Sequence, residues 1–290
     1  MSDQIVRGLA LGNNVRVFVG KTTQLVAQAQ AIHQTHPAAT AALGRVMSIA
    51  SVMASGFKDE RETLKIDIRG NGPLKSILVN ANNKGEIRGL VGNPEAHAVN
   101  DLGKLDVGGI LGQGTLMVSN EFNGNTVFQS QVALQTGEIG DDFAAYFYVS
   151  EQTPSIVSVG VLVDPSSDIL SAGGLLIQMM PDATDEDYTL SENLAATLRP
   201  MSELLNDGFT LEQILANLYS DVRILEERNL EFKCDCSRDR MKGALTTLSK
   251  DDLKAMIEED HGCEINCQFC GESYKFDEEE LKLILSFRGV

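Results

Sequence analysis

Hydrophobic and polar residues alternate over residues 5–11 and again over 15–19, on either side of Gly12-Asn13-Asn14. That pattern predicts a β-hairpin with a short turn. Thr22 or Thr23 is placed to cap a helix reaching about Gln34, and Pro37 suits the first turn of a second helix ending near Phe57. The second helix carries Ala41, Gly44, Ser48, Ala50 and Ser51, small residues that allow close packing on a sheet. From residue 64 to 181 the period becomes two. Leu64-Lys65-Ile66-Asp67-Ile68-Arg69 alternates strictly. Strand pairs 76–80/87–91, 115–119/127–134 and 157–163/175–179 flank turns at Asn82-Asn83-Lys84-Gly85, at Asn123-Gly124-Asn125, and between Pro165 and Gly173-Gly174. Antiparallel strands with two helices inserted early make residues 1–181 an α+β core domain.

After Pro181 the period changes again. Leu190, Leu194 and Leu198 fall at helical spacing, and Thr210-Leu211-Glu212-Gln213 is a capping box opening an apolar face of Leu211, Ile214, Leu215 and Leu218. Residues 182–230 therefore read as a helical linker, its short amphipathic helices interrupted at Pro200 and Gly208. Helices this short need a surface to lie on, because nucleation costs more than one or two turns return. The last block, 231–290, holds helices predicted over 249–260, with Leu253, Met256 and Ile257 inward, and over 277–285.

The formal net charge of −17 repels phosphate backbones and argues against a nucleic-acid partner. The opening residues lack an apolar signal core, and the apolar stretch 38–57 carries Arg45 among many small residues, which suits a buried helix better than a membrane span. Cytoplasmic residence without membrane association is the default expectation, and there paired cysteines serve as metal or redox sites more often than as structural disulfides.

All five cysteines lie after residue 233. Cys234 and Cys236 form C-x-C; Cys267 and Cys270 form C-x-x-C. Two short-spaced pairs from separate loops supply four thiolates to one tetrahedral Zn²⁺, although iron accepts the same set and C-x-C can also close into a small disulfide. Cys263 and His261 lie close by, and Cys263 reads as an incidental loop cysteine. Lys233 and Arg238 flank the first pair, where they are placed either to favour thiolates or simply to face solvent. Residues 231–290 are too few for a large core, so a bound metal is expected to hold them folded. Gly20-Lys21-Thr22 mimics the end of a phosphate-binding loop, but Val15 stands where that loop needs glycine. His33, His36 and His97 are dispersed and no catalytic set stands out, so the chain reads as a non-enzyme.

Phe232-Lys233-Cys234-Asp235-Cys236-Ser237-Arg238, Cys267-Gln268-Phe269-Cys270, Tyr274 and Phe276 resemble the redox-regulated chaperones of the thirty-three-kilodalton heat-shock protein family. Gly72-Pro73-Leu74, Gly103-Lys104-Leu105-Asp106-Val107, Ser150-Glu151-Gln152-Thr153-Pro154-Ser155 and Ala172-Gly173-Gly174 extend the likeness into the core. Cys263 is outside that pattern. The resemblance implies an ATP-independent holdase, inactive when reduced with one Zn²⁺ per chain on Cys234, Cys236, Cys267 and Cys270. It implies activation under oxidative stress by disulfides Cys234–Cys236 and Cys267–Cys270, with zinc release, binding of unfolding client proteins and homodimer formation. The competing reading is a constitutive zinc-stabilised module that contacts RNA or ribosomes. A thiol oxidoreductase is a weaker rival, since Cys267-Gln268-Phe269-Cys270 follows no βαβ pattern.

Overall fold

The computed structural model describes residues 2–286, which divide into two compact units between Lys233 and Cys234. In the first unit, β1 (Gln4–Ala10) and β2 (Val15–Lys21) form the expected hairpin. Helices α1 (Thr23–His33) and α2 (Pro37–Ala54) follow, with Pro37 in the first turn of α2. The cap of α1 is not the threonine expected. Asp3 accepts the Leu25 N–H at 2.7 Å, while the Thr22 hydroxyl bonds to that of Ser48 at 2.6 Å. Strands β3 (Glu62–Gly70), β4 (Ser76–Asn82) and β5 (Glu86–Val91) form a meander, followed by the short α3 (Val107–Leu111). Next come β6 (Gly114–Phe122), β7 (Asn125–Ala133), α4 (Gly140–Val149), β8 (Ser155–Val163) and β9 (Ile169–Met179).

Residues 182–230 supply α5 (Asp185–Thr197), α6 (Met201–Asn206), α7 (Leu211–Leu218) and β10 (Arg223–Asn229). The breaks fall at Pro200 and Gly208 as expected, and Thr210 and Gln213 close their capping box. The strand was not expected, and neither was α4. A two-residue strand, β11 (Glu231–Phe232), ends the unit and runs parallel to β5.

Two sheets result, one in the order β10-β1-β2-β9-β8 and the other β11-β5-β4-β3-β6-β7. Helix α2 touches strands of both and lies between them. One apolar core joins its inward residues (Leu43, Met47, Ile49) to Phe18 and Leu176 of the first sheet and Leu64, Ile66, Val79 and Val118 of the second. The small residues act as predicted: a Cβ on Gly44 would come within 2.7 Å of Val161. Helix α2 is long and apolar enough to cross a membrane, but 83% of that window is buried inside the protein, which makes it a core helix. The outer face of the first sheet carries Val6, Val15, Val17, Leu175 and Ile177, and Met201, Leu211, Ile214, Leu215 and Tyr219 from 201–219 pack on it. Covered on both faces, β9 is buried along nearly its whole length.

The second unit has α8 (Arg238–Leu245), α9 (Lys250–Glu258), the hairpin β12 (Gly262–Asn266) and β13 (Ser273–Asp277), and α10 (Glu278–Ser286). Its core is small: Leu245, Leu253, Ile257, Phe276, Leu281 and Ile284. Ser249 caps α9 by accepting the Asp252 N–H at 3.0 Å, and Met256 packs at the core's edge.

Candidate metal centre

Cys234 and Cys236 lie in the extended segment before α8. Ser237 ends that segment as the α8 cap, accepting the Arg240 N–H at 3.2 Å. Arg240 reaches back to the Asp235 carbonyl at 3.2 Å and to its carboxylate at 2.5 Å. The residue between the two cysteines is thus tied to the first turn of α8. The second pair sits on the turn of the β12–β13 hairpin. Cys267 donates its N–H to the Glu272 carbonyl and accepts that of Gly271, both at 2.8 Å. Gly271 takes φ +75°, a conformation costly for side-chain-bearing residues, and this lets the turn bring Cys270 back towards Cys267.

The four Sγ atoms all lie within 4.8 Å of one another. Close approaches run between the pairs: Cys234 to Cys267 at 3.6 Å and Cys236 to Cys270 at 3.4 Å. A metal ringed by four thiolates at about 2.3 Å requires sulfur–sulfur edges of about 3.8 Å. The donor set and its size therefore fit one tetrahedral cation, and the cluster can hold a metal ion. Burial first, and hydrogen bonds to the neighbouring sulfurs next, push Cys270 up to about 12, against the pull of the Glu272 backbone. A dication held by Cys234, Cys236, Cys267 and Cys270 would reverse that balance at Cys270, because it would favour the thiolate.

One contributor entered the sequence reading only through the family resemblance, without a role at the sulfurs. The Tyr274 hydroxyl donates to Cys236 Sγ at 3.2 Å, and this bond holds its own proton well above the ordinary phenol range. Its signal was its place in that pattern, four positions after the second pair. Two other expectations change. Cys263 is on strand β12, opposite Phe276 and against the small core, rather than in a loop; burial and nearby Glu280 raise its thiol. Arg238 stacks 4.5 Å from the Phe276 ring and pairs with Glu280 at 2.7 Å, and Lys233 pairs with Glu86. Neither cation is committed to the sulfurs. His261 pairs with Glu278 at 3.2 Å.

The family model described as Hsp33 protein matches residues 3–277. The chain belongs to the Hsp33 family. It is 41% identical over 288 residues to the 33 kDa chaperonin of Desulforamulus reducens, with 98% of each chain covered. Against the 33 kDa chaperonin of Geobacillus kaustophilus it is 43% identical over 286 residues, with 97% of each covered. The crystal structure of the 33 kDa chaperonin (heat shock protein 33 homolog) of Thermotoga maritima superimposes with a TM-score of 0.91 at 33% identity, over 99% of both chains. The resemblance drawn from short motifs thus extends over almost the whole Hsp33 sequence, and the α+β architecture agrees with it. Hsp33 proteins are chaperones, and membership of a chaperone family implies binding of client proteins.

Proposed function

We propose that this chain is an ATP-independent holdase whose client binding is switched on by oxidation. The observation that carries the reading is the convergence of four sulfurs within 4.8 Å in a unit whose described residues form a core of six buried side chains. In the reduced state Cys234, Cys236, Cys267 and Cys270 hold one zinc ion. Bound there, zinc stabilises all four thiolates and ties the segment before α8 to the β12–β13 turn. With hypochlorite or peroxide as oxidant, Cys234 joins Cys236 and Cys267 joins Cys270. Each new S–S bond forms from two thiolates, whose two electrons reduce hypochlorite to chloride and hydroxide, with water supplying the proton, or peroxide to hydroxide. Sulfurs locked in disulfides no longer offer thiolate ligands and so give up the zinc. The small core of the second unit is then too little to hold it folded.

The division of labour follows the sequence boundaries: residues 1–181 as a stable core, 182–230 as a detachable segment, 231–290 as the switch. The side chains from 201–219 cover Val6, Val15, Val17, Leu175 and Ile177, so their release uncovers a broad apolar sheet face. Such a face takes unfolding proteins, and a second copy of the oxidised chain, without a shaped pocket. Cytoplasmic residence, and clients rather than nucleic acid or membrane as partners, complete the proposal.

The test treats the zinc-loaded full chain with hypochlorite, follows zinc with a chromogenic chelator, and measures light scattering from a chemically unfolded client. The expected result is one zinc released per chain and suppressed aggregation only after oxidation. Equal protection by the reduced chain removes the switch; protection by neither form removes the holdase.

A further inference from the structure

A cleft of about 170 Å³ opens between the two sheets of the first unit. Arg16 of β2 is held inside it. Its Nη2 donates to Gln178 Oε1 at 2.6 Å, and its guanidinium stands 5.4 Å from the Phe18 ring centroid. Gln178, 3% exposed, is itself fixed by donation from its Nε2 to the Ser155 hydroxyl at 3.3 Å. The clamp is thus anchored on a buried amide. It leaves one donor over: Arg16 Nε is buried and has no hydrogen-bond partner. Buried donors are paired in most proteins, and an orphan calls for a ligand or water.

Glu151 lines the same cleft from the segment after α4, in the Ser150–Ser155 tract singled out in the sequence. Its Oε1 accepts the Tyr146 hydroxyl at 3.0 Å. Burial raises this carboxyl, and the field of Arg16 opposes the rise, yet the two charged groups form no ion pair. A cation and an acid therefore face one cavity without closing on each other. Apolar walls stand beside them: Met53 and Phe57 from α2 and its end, Leu64 of β3 and Leu176 of β9. The cavity holds roughly six waters at about 30 Å³ each, the scale of a molecule of fewer than about ten non-hydrogen atoms.

We propose that this cleft binds a small zwitterion with an apolar body, an α-amino acid of the leucine class. Its carboxylate accepts from Arg16 Nε, its ammonium faces Glu151, and its side chain lies against Met53, Phe57 and Leu176. Charge-assisted hydrogen bonds at each end and an apolar middle divide the recognition. The site is independent of the redox reading.

The experiment titrates L-leucine into the reduced full chain carrying ¹³C-methyl methionine and follows the Met53 methyl resonance. Saturable displacement of that signal is expected, with 4-methylpentanoate, which lacks the ammonium, at least about fivefold weaker. Arg16→Met and Glu151→Gln should each weaken leucine binding about tenfold. Glu151→Gln keeps the side chain's size and an acceptor for the Tyr146 hydroxyl, so this variant keeps the fold if Arg16→Met does not. No saturable shift up to about 20 mM, the weak limit for so small a ligand, overturns the proposal: the cleft then holds water. Equal affinity for the two probes, or unchanged affinity in Glu151→Gln, overturns the zwitterion assignment.

Discussion

The two units of this chain are stabilised by different means. The first buries a continuous apolar core between two sheets and a second core on the outer face of one of them. The second has, among the described residues, a core of six buried side chains and four converging sulfurs. Hydrophobic burial is indifferent to oxidants, whereas thiolates are their first target. A chain that places nearly all its burial on one side of Lys233 and all its cysteines on the other therefore has one part able to respond to oxidants and one part that persists.

The largest effect that sharpens this contrast is expected at the sulfurs. Cys267→Ser should lower zinc affinity about a thousandfold in chelator competition, with amide protection lost across 234–286 and kept in β2, β3 and β9. Parallel loss of protection in the first unit would break the distinction. Next comes a polar anchor of the first unit. Asp142 is fully buried and accepts backbone N–H groups from Gln135, Thr136, Gly137 and Ile139 at 2.7 to 3.2 Å. It holds Ile139, a β-branched residue, at φ +70°. Asp142→Ala should cost about 4 kcal/mol in urea unfolding of the first unit and leave zinc binding unchanged.

A smaller effect concerns pH. Asp3 is 2% exposed, and burial raises its carboxyl from 3.8 to about 6, against the Leu25 N–H and Lys21, which lower it. The folded state therefore favours the protonated form. The stabilisation is complete below about pH 4 and is lost as pH rises through 6, a span of about 3 kcal/mol. Asp3→Asn should remove that slope: the stability difference between variant and parent should shift by about this amount between pH 4 and pH 7.5. A pH-independent difference would show that Asp3 does not titrate in this range. The smallest effect is expected at Cys263. Cys263→Ser should keep one zinc per chain and cost the second unit about 1 kcal/mol, since Cys263 packs on its core and lies apart from the cluster. Loss of zinc in this variant would make Cys263 a ligand.

Local patterns made much of this legible in the sequence. The hairpins, the capping box at Thr210 and the two cysteine pairs are short-range features, and each stands where its pattern indicated. What escaped depends on distant partners. Gly140–Val149 is rich in aromatic residues that suit strands, and its helix begins where Asp142 gathers the N–H groups of Gln135, Thr136, Gly137 and Ile139. Arg223–Asn229 is mostly charged, with no inward face to read; it is a strand because β1 offers an open edge. Arg238 looked like a thiolate partner by position along the chain, but Glu280 and Phe276 are brought to it by folding. The cleft around Arg16 was equally hidden, because its walls come from β2, β3, β9, α2 and the segment after α4.

The central claim is that oxidation dismantles the second unit and spares the first. Hydrogen exchange read by mass spectrometry on the zinc-loaded full chain, before and after hypochlorite, tests it most directly. The account predicts that peptides across 234–286 lose protection in step with zinc release, while β2, β3, β6 and β9 exchange as slowly as before. Retained protection in 234–286 after the zinc has gone, or simultaneous loss in both units, would contradict it.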